Sequence, residues 1–517
     1  MMNTELLNQQ TKESLHFFES ELFKDVQMSG LFADSKTFTD AIPKTAFMEI
    51  LQKYKIEKKH KSSFNLEAFI TECFDIVEHK EIRSENVKTT IAEHIDSLWT
   101  ALKKEADPNA VGSLLPLKNP YIVPGGRFRE IYYWDSYFTA LGLIESGNIA
   151  LAESMLSNFL ELQSNYGCIP NGNRSYYLSR SQPPILGLLV ELLLPFQQNK
   201  QQFITTHIKA IETEYKFWMQ GKALETDEQF ESRRIIKMPD GSFLNRYWDD
   251  NAAPRAESYR EDIELCQELM PEDPESFYRN IRAACESGWD FSSRWLGDEN
   301  SLASIRTTRI LPVDLNCLLY KQEELLAKFY EILGNEASSL VYKDYAATRK
   351  AAIQRYMWSE NDGFYMDYDL DKKSYSSVKS LAGVLPLFVE LADAKQVDQV
   401  SKVIENEFLQ RGGLITTAIE TGQQWDSPNG WAPLHWFAVQ GLIKYEKQCL
   451  ALTIKNRWLN TVESYFQQTG KIMEKYNVCQ QSHKAEGGEY DVQEGFGWTN
   501  GVHVAFSALF LVKETKL

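Results

Sequence analysis

Apolar residues recur at helical spacing along nearly the whole chain. Leu151, Met155, Leu156, Phe159 and Leu160 fall on one face of a helix that Gly167 ends. The same stripe returns in Ile204, Ile208, Ile211 and Tyr215, then in Leu318, Leu325, Leu326, Phe329 and Leu333. Val397, Val400, Val403 and Ile404 carry it once more. Alternation with period two is rare, and its best instance, Gly363-Phe364-Tyr365-Met366-Asp367-Tyr368, is short. Between pairs of helices lie loops dense in Gly, Trp, Asp, Asn and Pro. If roughly twelve helices share the last ~450 residues, each has about 38, against the ~12 that a typical helix needs. Long loops on a helical scaffold are where function concentrates. The first 60 residues read differently. They are polar, with Lys53, Lys55, Lys58, Lys59 and Lys61 close together, and predict a helical arm (1–60) outside a helical body (61–517).

Charge and composition narrow the classes. The 517 residues carry a net charge of −17, which argues against nucleic acid, whose binders need a basic face. The longest apolar stretch, residues 183–196, contains Glu191 and falls short of the ~20 residues of a membrane span. The N-terminus lacks the basic start and apolar run of a signal peptide. Seven cysteines are scattered with no C-x-x-C pair, the usage of a reducing compartment, so the cytoplasm is expected. Eight histidines are equally dispersed, with no H-x-x-x-H pair, and no metal or other cofactor is expected.

The loops carry the candidate chemistry. The first reads Pro124-Gly125-Gly126-Arg127-Phe128-Arg129-Glu130-Ile131-Tyr132-Tyr133-Trp134-Asp135-Ser136-Tyr137. It sets a tight glycine turn beside a guanidinium fork, an aromatic plate and a carboxylate. A sugar demands that combination, with hydroxyls on its rim and C–H groups on its face. Further clusters follow: Ile169-Pro170-Asn171-Gly172-Asn173-Arg174 with Arg180-Ser181-Gln182, Arg246-Tyr247-Trp248-Asp249-Asp250 with Arg255-Ala256-Glu257-Ser258, and Glu286-Ser287-Gly288-Trp289-Asp290-Phe291. Gln424-Trp425-Asp426-Ser427-Pro428-Asn429-Gly430-Trp431 is the fifth, and Glu474-Lys475-Tyr476, Gly487-Gly488-Glu489-Tyr490 and Gly495-Phe496-Gly497-Trp498 close the set. On the residues alone Asp135, Asp249, Asp250, Glu257, Glu286, Asp290, Asp426, Glu474 and Glu489 all compete for acid and base roles.

The 124–137 and 424–433 stretches closely resemble the two signatures of the trehalase family of inverting glycoside hydrolases, and the likeness to its cytoplasmic bacterial type runs from about residue 113 to 502. The resemblance implies an all-α fold, an (α/α)6 barrel of two helical rings with the site at one mouth. It implies hydrolysis of α,α-trehalose to two glucose molecules with inversion and no metal, by a monomer with neither nucleic-acid nor membrane partners. Asp290 is then the general acid and Glu474 the general base. Arg127, Phe128, Trp134, Asp135, Asn171, Arg180, Ser181, Gln182, Arg255, Ala256, Glu257, Gly288 and Glu489 are then substrate-binding residues. The three arginines are expected to keep the base ionised, and Trp289 and Phe291 to dry the surroundings of the acid. Ala256 replaces a proline usual in the family, which predicts a looser turn, and the Gly487-Gly488 lid is shorter than usual, with Asp491 where proline is common. Alternatives are another disaccharide hydrolase or a phosphorylase on the same barrel, and a non-catalytic sugar-binding protein.

Overall fold

The computed structural model describes residues 8–59, 64–77, 90–221, 230–298, 301–480, 485 and 487–509. Lys61, His60, His79 and the 481–484 segment before the lid lie outside the described residues. The apolar stripes become helices. Ile149–Tyr166 ends on Gly167, whose φ of 81° is the left-handed cap that glycine adopts without strain. Lys200–Trp218 starts on Asn199, whose side chain accepts from the Gln202 N–H, and Ala394–Val403 starts on a reciprocal Asp393/Gln396 capping box. Val313–Ile332 carries the third stripe and packs against both Glu336–Tyr356 and Lys200–Trp218. The alternating segment splits into Phe364–Tyr365, which pairs with Trp358–Ser359, and Tyr368–Asp369, which pairs with Ile310–Leu311 and Ser374–Tyr375.

The chain is mostly helical, and its described strands are two or three residues long in two- and three-stranded sheets. The expectation of an all-α fold therefore needs one correction: the long loops pin themselves to each other by short ribbons. No described helix is long and apolar enough to cross a membrane.

Helix ends position the site. Asp135–Glu145 lies against Gly497–Ala508, and a methyl group on Gly142 would come within 2.5 Å of Gly501 Cα, so only glycine permits that approach. The contact joins the early and late loops of the body at one place. Pro274–Ser287 ends nearby on Gly288, and Ala432–Lys444 begins just after Trp431.

The N-terminal part has its own core. The helices Gln9–Glu19, Glu21–Met28, Phe47–Lys58 and Leu66–Cys73 enclose Phe17, Phe23, Phe38, Phe47, Phe69 and Phe74. Phe17 stacks on Phe47 with ring centres 4.5 Å apart. This cluster runs past residue 60, so the packing unit does not end at the boundary expected from polarity. It also does not stand apart from the body. Ser14 Oγ meets Ser175 Oγ at 2.6 Å, Arg260 donates to the Phe32 and Ala33 carbonyls, and Ala256 and Tyr259 pack on the aromatic cluster.

Candidate active site

A cavity lies where those helix ends meet, and Asp290 and Glu474 both line it. Arg127, Phe128, Trp134, Asp135, Asn171, Arg180, Gln182, Arg255, Glu257, Gly288 and Glu489 line it as well. Residues from six separated loops thus converge, as their shared composition predicts. Two do not reach it. Ser181 donates its N–H to Glu286 at 2.9 Å and its hydroxyl to the Ile169 carbonyl at 2.6 Å, behind the wall. Ala256 faces the N-terminal aromatic core, and its carbonyl accepts from Thr39 Oγ1 at 2.7 Å. That bond anchors the turn expected to be loose for want of a proline.

Each catalytic candidate is held by backbone. Gly288, with φ of 76°, closes the helix before Asp290, and a Cβ there would strike the Trp134 ring at 2.9 Å. The loop beyond it is fixed by Asp426, which accepts from Ser292 Oγ, Ser293 N and Ser293 Oγ at 2.8 Å each and from Thr417 Oγ1 at 2.9 Å. Gln424 donates to the Asp290 carbonyl, and Trp425 N donates to the Phe291 carbonyl at 3.0 Å. Glu474 precedes the strand Lys475–Asn477, which pairs with Asn429–Trp431. Its N–H donates to the Gln493 carbonyl at 2.9 Å, and Trp498 Nε1 donates to the Glu474 carbonyl at 2.9 Å.

The remaining carboxylates sort by partner. Glu286 takes Arg234 together with the Ser181 and Trp248 N–H groups, and Asp249 takes Arg180 and Arg282, so both are internal ties. Glu257 accepts from Arg180 Nη2 at 2.7 Å; burial opposes its charge, but Arg180, Arg255 and Arg282 together outweigh burial and keep the carboxyl low. Glu489 is gripped by both terminal nitrogens of Arg255 at 2.7 and 3.1 Å, while Asp262 holds the other side of that guanidinium. Among the described residues, none forms an ion pair of this kind with Asp135, Asp290 or Glu474.

Burial sets their protonation. It pushes the Asp290 carboxyl up to about 7; Arg255 and Arg180 pull it down and Glu489 pushes it further up. Trp289 and Phe291, expected to dry the surroundings of the acid, flank it in the chain and are each 1% exposed, but neither lines the cavity. Burial drives Asp135 well above the carboxylate range, and Glu474 and Asp290 add to the rise. Glu474 is also raised by burial, against Lys475, the Tyr490 hydroxyl, the Gln493 N–H and Arg127. The expectation that three arginines keep the base ionised thus needs correcting. Of the three, Arg127 is the one among the main influences on Glu474, and the cation with the largest effect is its chain neighbour Lys475. That ammonium is itself pushed down to about 8 by burial, and it donates to the Gly487 carbonyl at 2.7 Å and to Gln424 Oε1 at 3.1 Å.

Aromatic rings floor the cavity. Trp425 stacks on Trp431 with centres 4.0 Å apart and on Trp289 at 5.2 Å, and Trp498 stands edge-on at 5.6 Å from Trp431. Trp425, Trp431, Tyr490, Phe496 and Trp498 line the cavity without having been singled out, though each lies in a quoted loop. Lys36, which also lines it, had no sequence signal, since it belongs to the polar N-terminal segment.

Residues 30–510 match the family described as Trehalase. The chain belongs to the trehalase family. Among solved structures it is similar to neutral trehalase Nth1 from Saccharomyces cerevisiae, at 26% identity and a TM-score of 0.62 over 82% of this chain and 80% of that one. It also shares its fold with the GH63 mannosylglycerate hydrolase from Thermus thermophilus, at 15% identity and a TM-score of 0.55, covering 81% of this chain and 100% of that one. A trehalase-family glycoside hydrolase acts on a small sugar, and the cavity's mixture of aromatic plates, guanidinium forks and carboxyls has the chemistry for one. The stretch expected to form a short lid is tied at three points: Lys475 to the Gly487 carbonyl, Arg255 to Glu489, and the Tyr490 hydroxyl to Glu474 Oε1 at 2.9 Å.

Proposed function

We propose that the protein hydrolyses α,α-trehalose to two glucose molecules with inversion, with Asp290 as general acid and Glu474 as general base. The observation that carries this is that the two carboxyls, far apart in sequence, line one buried cavity whose remaining carboxylates are committed to arginines or kept protonated by burial. Asp290 protonates the bridging oxygen, and the C1–O bond of one glucose breaks through an oxocarbenium-like transition state. Glu474 takes a proton from a water on the opposite face, and the resulting hydroxide forms the new C1–O bond. A carboxyl near 7 is matched to giving up a proton at neutral pH. Lys475, Tyr490 and the Gln493 N–H stabilise the charged form of Glu474, as a base needs. Asp135, which burial keeps protonated, offers an O–H to a sugar hydroxyl, and the indoles pack the pyranose faces. The helical pairs and the likeness to Nth1 support the (α/α)6 arrangement, and the scattered cysteines support the cytoplasm as its compartment.

Release of glucose from trehalose, but not from maltose, sucrose or cellobiose, and at a rate indifferent to added phosphate, tests the reading. Phosphate-dependent turnover would instead indicate a phosphorylase. The pH dependence follows from the two carboxyls. Activity falls on the alkaline side as Asp290 loses its proton near 7, and on the acid side as Glu474 gains one. A kcat/KM profile should be a bell whose alkaline limb lies near neutrality; a rate still rising above pH 9 would contradict the assignment.

A further inference from the structure

The N-terminal layer has no task legible in its composition, yet one turn of it reaches the cavity wall through Asp34 and Lys36. Asp34 Oδ1 accepts from Arg127 Nη2 at 2.7 Å, and Arg127 lines the cavity. Among the described residues Asp34 is the one anion hydrogen-bonded to that guanidinium, whose Nε is buried without a partner. The guanidinium carbon lies 4.7 Å from the centre of the Tyr490 ring. Tyr490 donates its hydroxyl to Glu474 Oε1. A second path runs beside it: Arg127 N donates to Gln493 Oε1 at 2.7 Å, and Gln493 N donates to Glu474 Oε2 at 3.4 Å. The turn itself is moored from behind, where Arg260 grips the Phe32 and Ala33 carbonyls and Ser35 Oγ donates to Glu261 at 2.5 Å.

We propose that Asp34 is a positioning residue for Glu474, holding Arg127 against Tyr490 so that the tyrosine hydroxyl stays on the carboxylate. The inference rests on Glu474 being the base. The groups that bear most on Glu474 are Lys475, Arg127, Tyr490 and the Gln493 N–H, with Asp135, Asp290 and the Arg255-bound Glu489 sharing the cavity. When the Asp34–Arg127 pair is lost, the arginine leaves the tyrosine ring. Glu474 then loses two influences that favour its charged form, and its protonation moves to higher pH.

Asp34→Asn is the test, because asparagine caps the helix Ser35–Thr39 as well as aspartate does while removing the charge from the pair. We expect kcat on trehalose to fall about tenfold, the scale of one charge-assisted hydrogen bond. The acid limb of the pH–rate profile should move upward, and Asp34→Glu should restore both. In a Glu474→Gln background the same substitution should add no further loss beyond about twofold, since residues acting through one group are not additive. An unmoved acid limb, a limb moved downward, or an equal loss in the Glu474→Gln background would overturn the proposal. Substantial activity in Glu474→Gln alone would instead remove the base assignment, whatever Asp34 does.

Discussion

Asp290→Asn should leave the fold intact and lower kcat on trehalose by about 10²–10⁴-fold, the usual contribution of a positioned general acid. The carboxamide occupies the same space, and the loop that holds it is fixed by the bonds to Asp426 and by Gln424 on the Asp290 carbonyl, none of which uses the carboxyl. The stability change has a definite sign. The folded carboxyl titrates near 7 and its ordinary value is 3.8, so the native state binds the proton more tightly than the unfolded chain. Its contribution is fully present below about pH 4 and is lost as pH rises through 7, where burying the charge opposes folding. Asparagine carries no charge at any pH. At pH 8 the variant should therefore melt at or above the wild-type temperature while remaining nearly inactive, a separation of stability from function typical of an active-site substitution. A large drop in melting temperature would mean that Asp290 is chiefly structural.

Glu474→Gln should cost a similar factor in kcat, about 10²–10⁴-fold, by removing the group proposed to deprotonate water. The backbone bonds to Gln493 and Trp498 persist, and glutamine still accepts from the Tyr490 hydroxyl, so the lid should stay in place. Its particular signature lies in the pH profile. On the proposed assignment the acid limb comes from Glu474 and should vanish in this variant, while the alkaline limb assigned to Asp290 remains. Retention of more than about a tenth of the activity would place the base elsewhere, with Glu489 the next candidate. The geometry weighs against Glu489, because Arg255 occupies both of its oxygens.

Much of the helical scaffold was legible because a buried helix face leaves a 3.6-residue period, and a glycine such as Gly167 marks where a helix stops. The loops that converge on the cavity were legible by composition, since together they set donors, carboxylates and indoles side by side. What escaped has physical reasons. The N-terminal core was masked by the charge around it: Leu22, Phe23 and Val26, then Phe47, Ile50, Leu51 and Tyr54, do recur at helical spacing, but they sit among lysines and glutamates that make the segment look like a solvated arm. Lys36 and Asp34 look like solvated charges in a polar segment, and only the packing of that layer onto the body gives them partners. Ser181 and Ala256 failed to reach the cavity for the opposite reason. They lie beside Arg180, Arg255 and Glu257, which do reach it, but Ser181 turns its hydroxyl back to the Ile169 carbonyl, and Ala256, which opens the short helix Ala256–Ser258, points to the N-terminal aromatic core. The ionisation of Glu474 was ascribed to arginines because guanidinium forks are conspicuous, whereas Lys475, adjacent in the chain, supplies the largest opposing charge.

The most direct test of the central claim is the anomeric form of the first products. If Asp290 protonates the bridging oxygen, the departing glucose keeps its α configuration, because its own C1–O bond never breaks. If Glu474 directs water to the opposite face, the other glucose is released as β. Proton NMR of trehalose with the wild-type protein, recorded in the first minutes before mutarotation, should show α- and β-glucose in equal amounts. Only α-glucose at early times would mean a covalent intermediate and a nucleophilic Glu474, and would contradict the account.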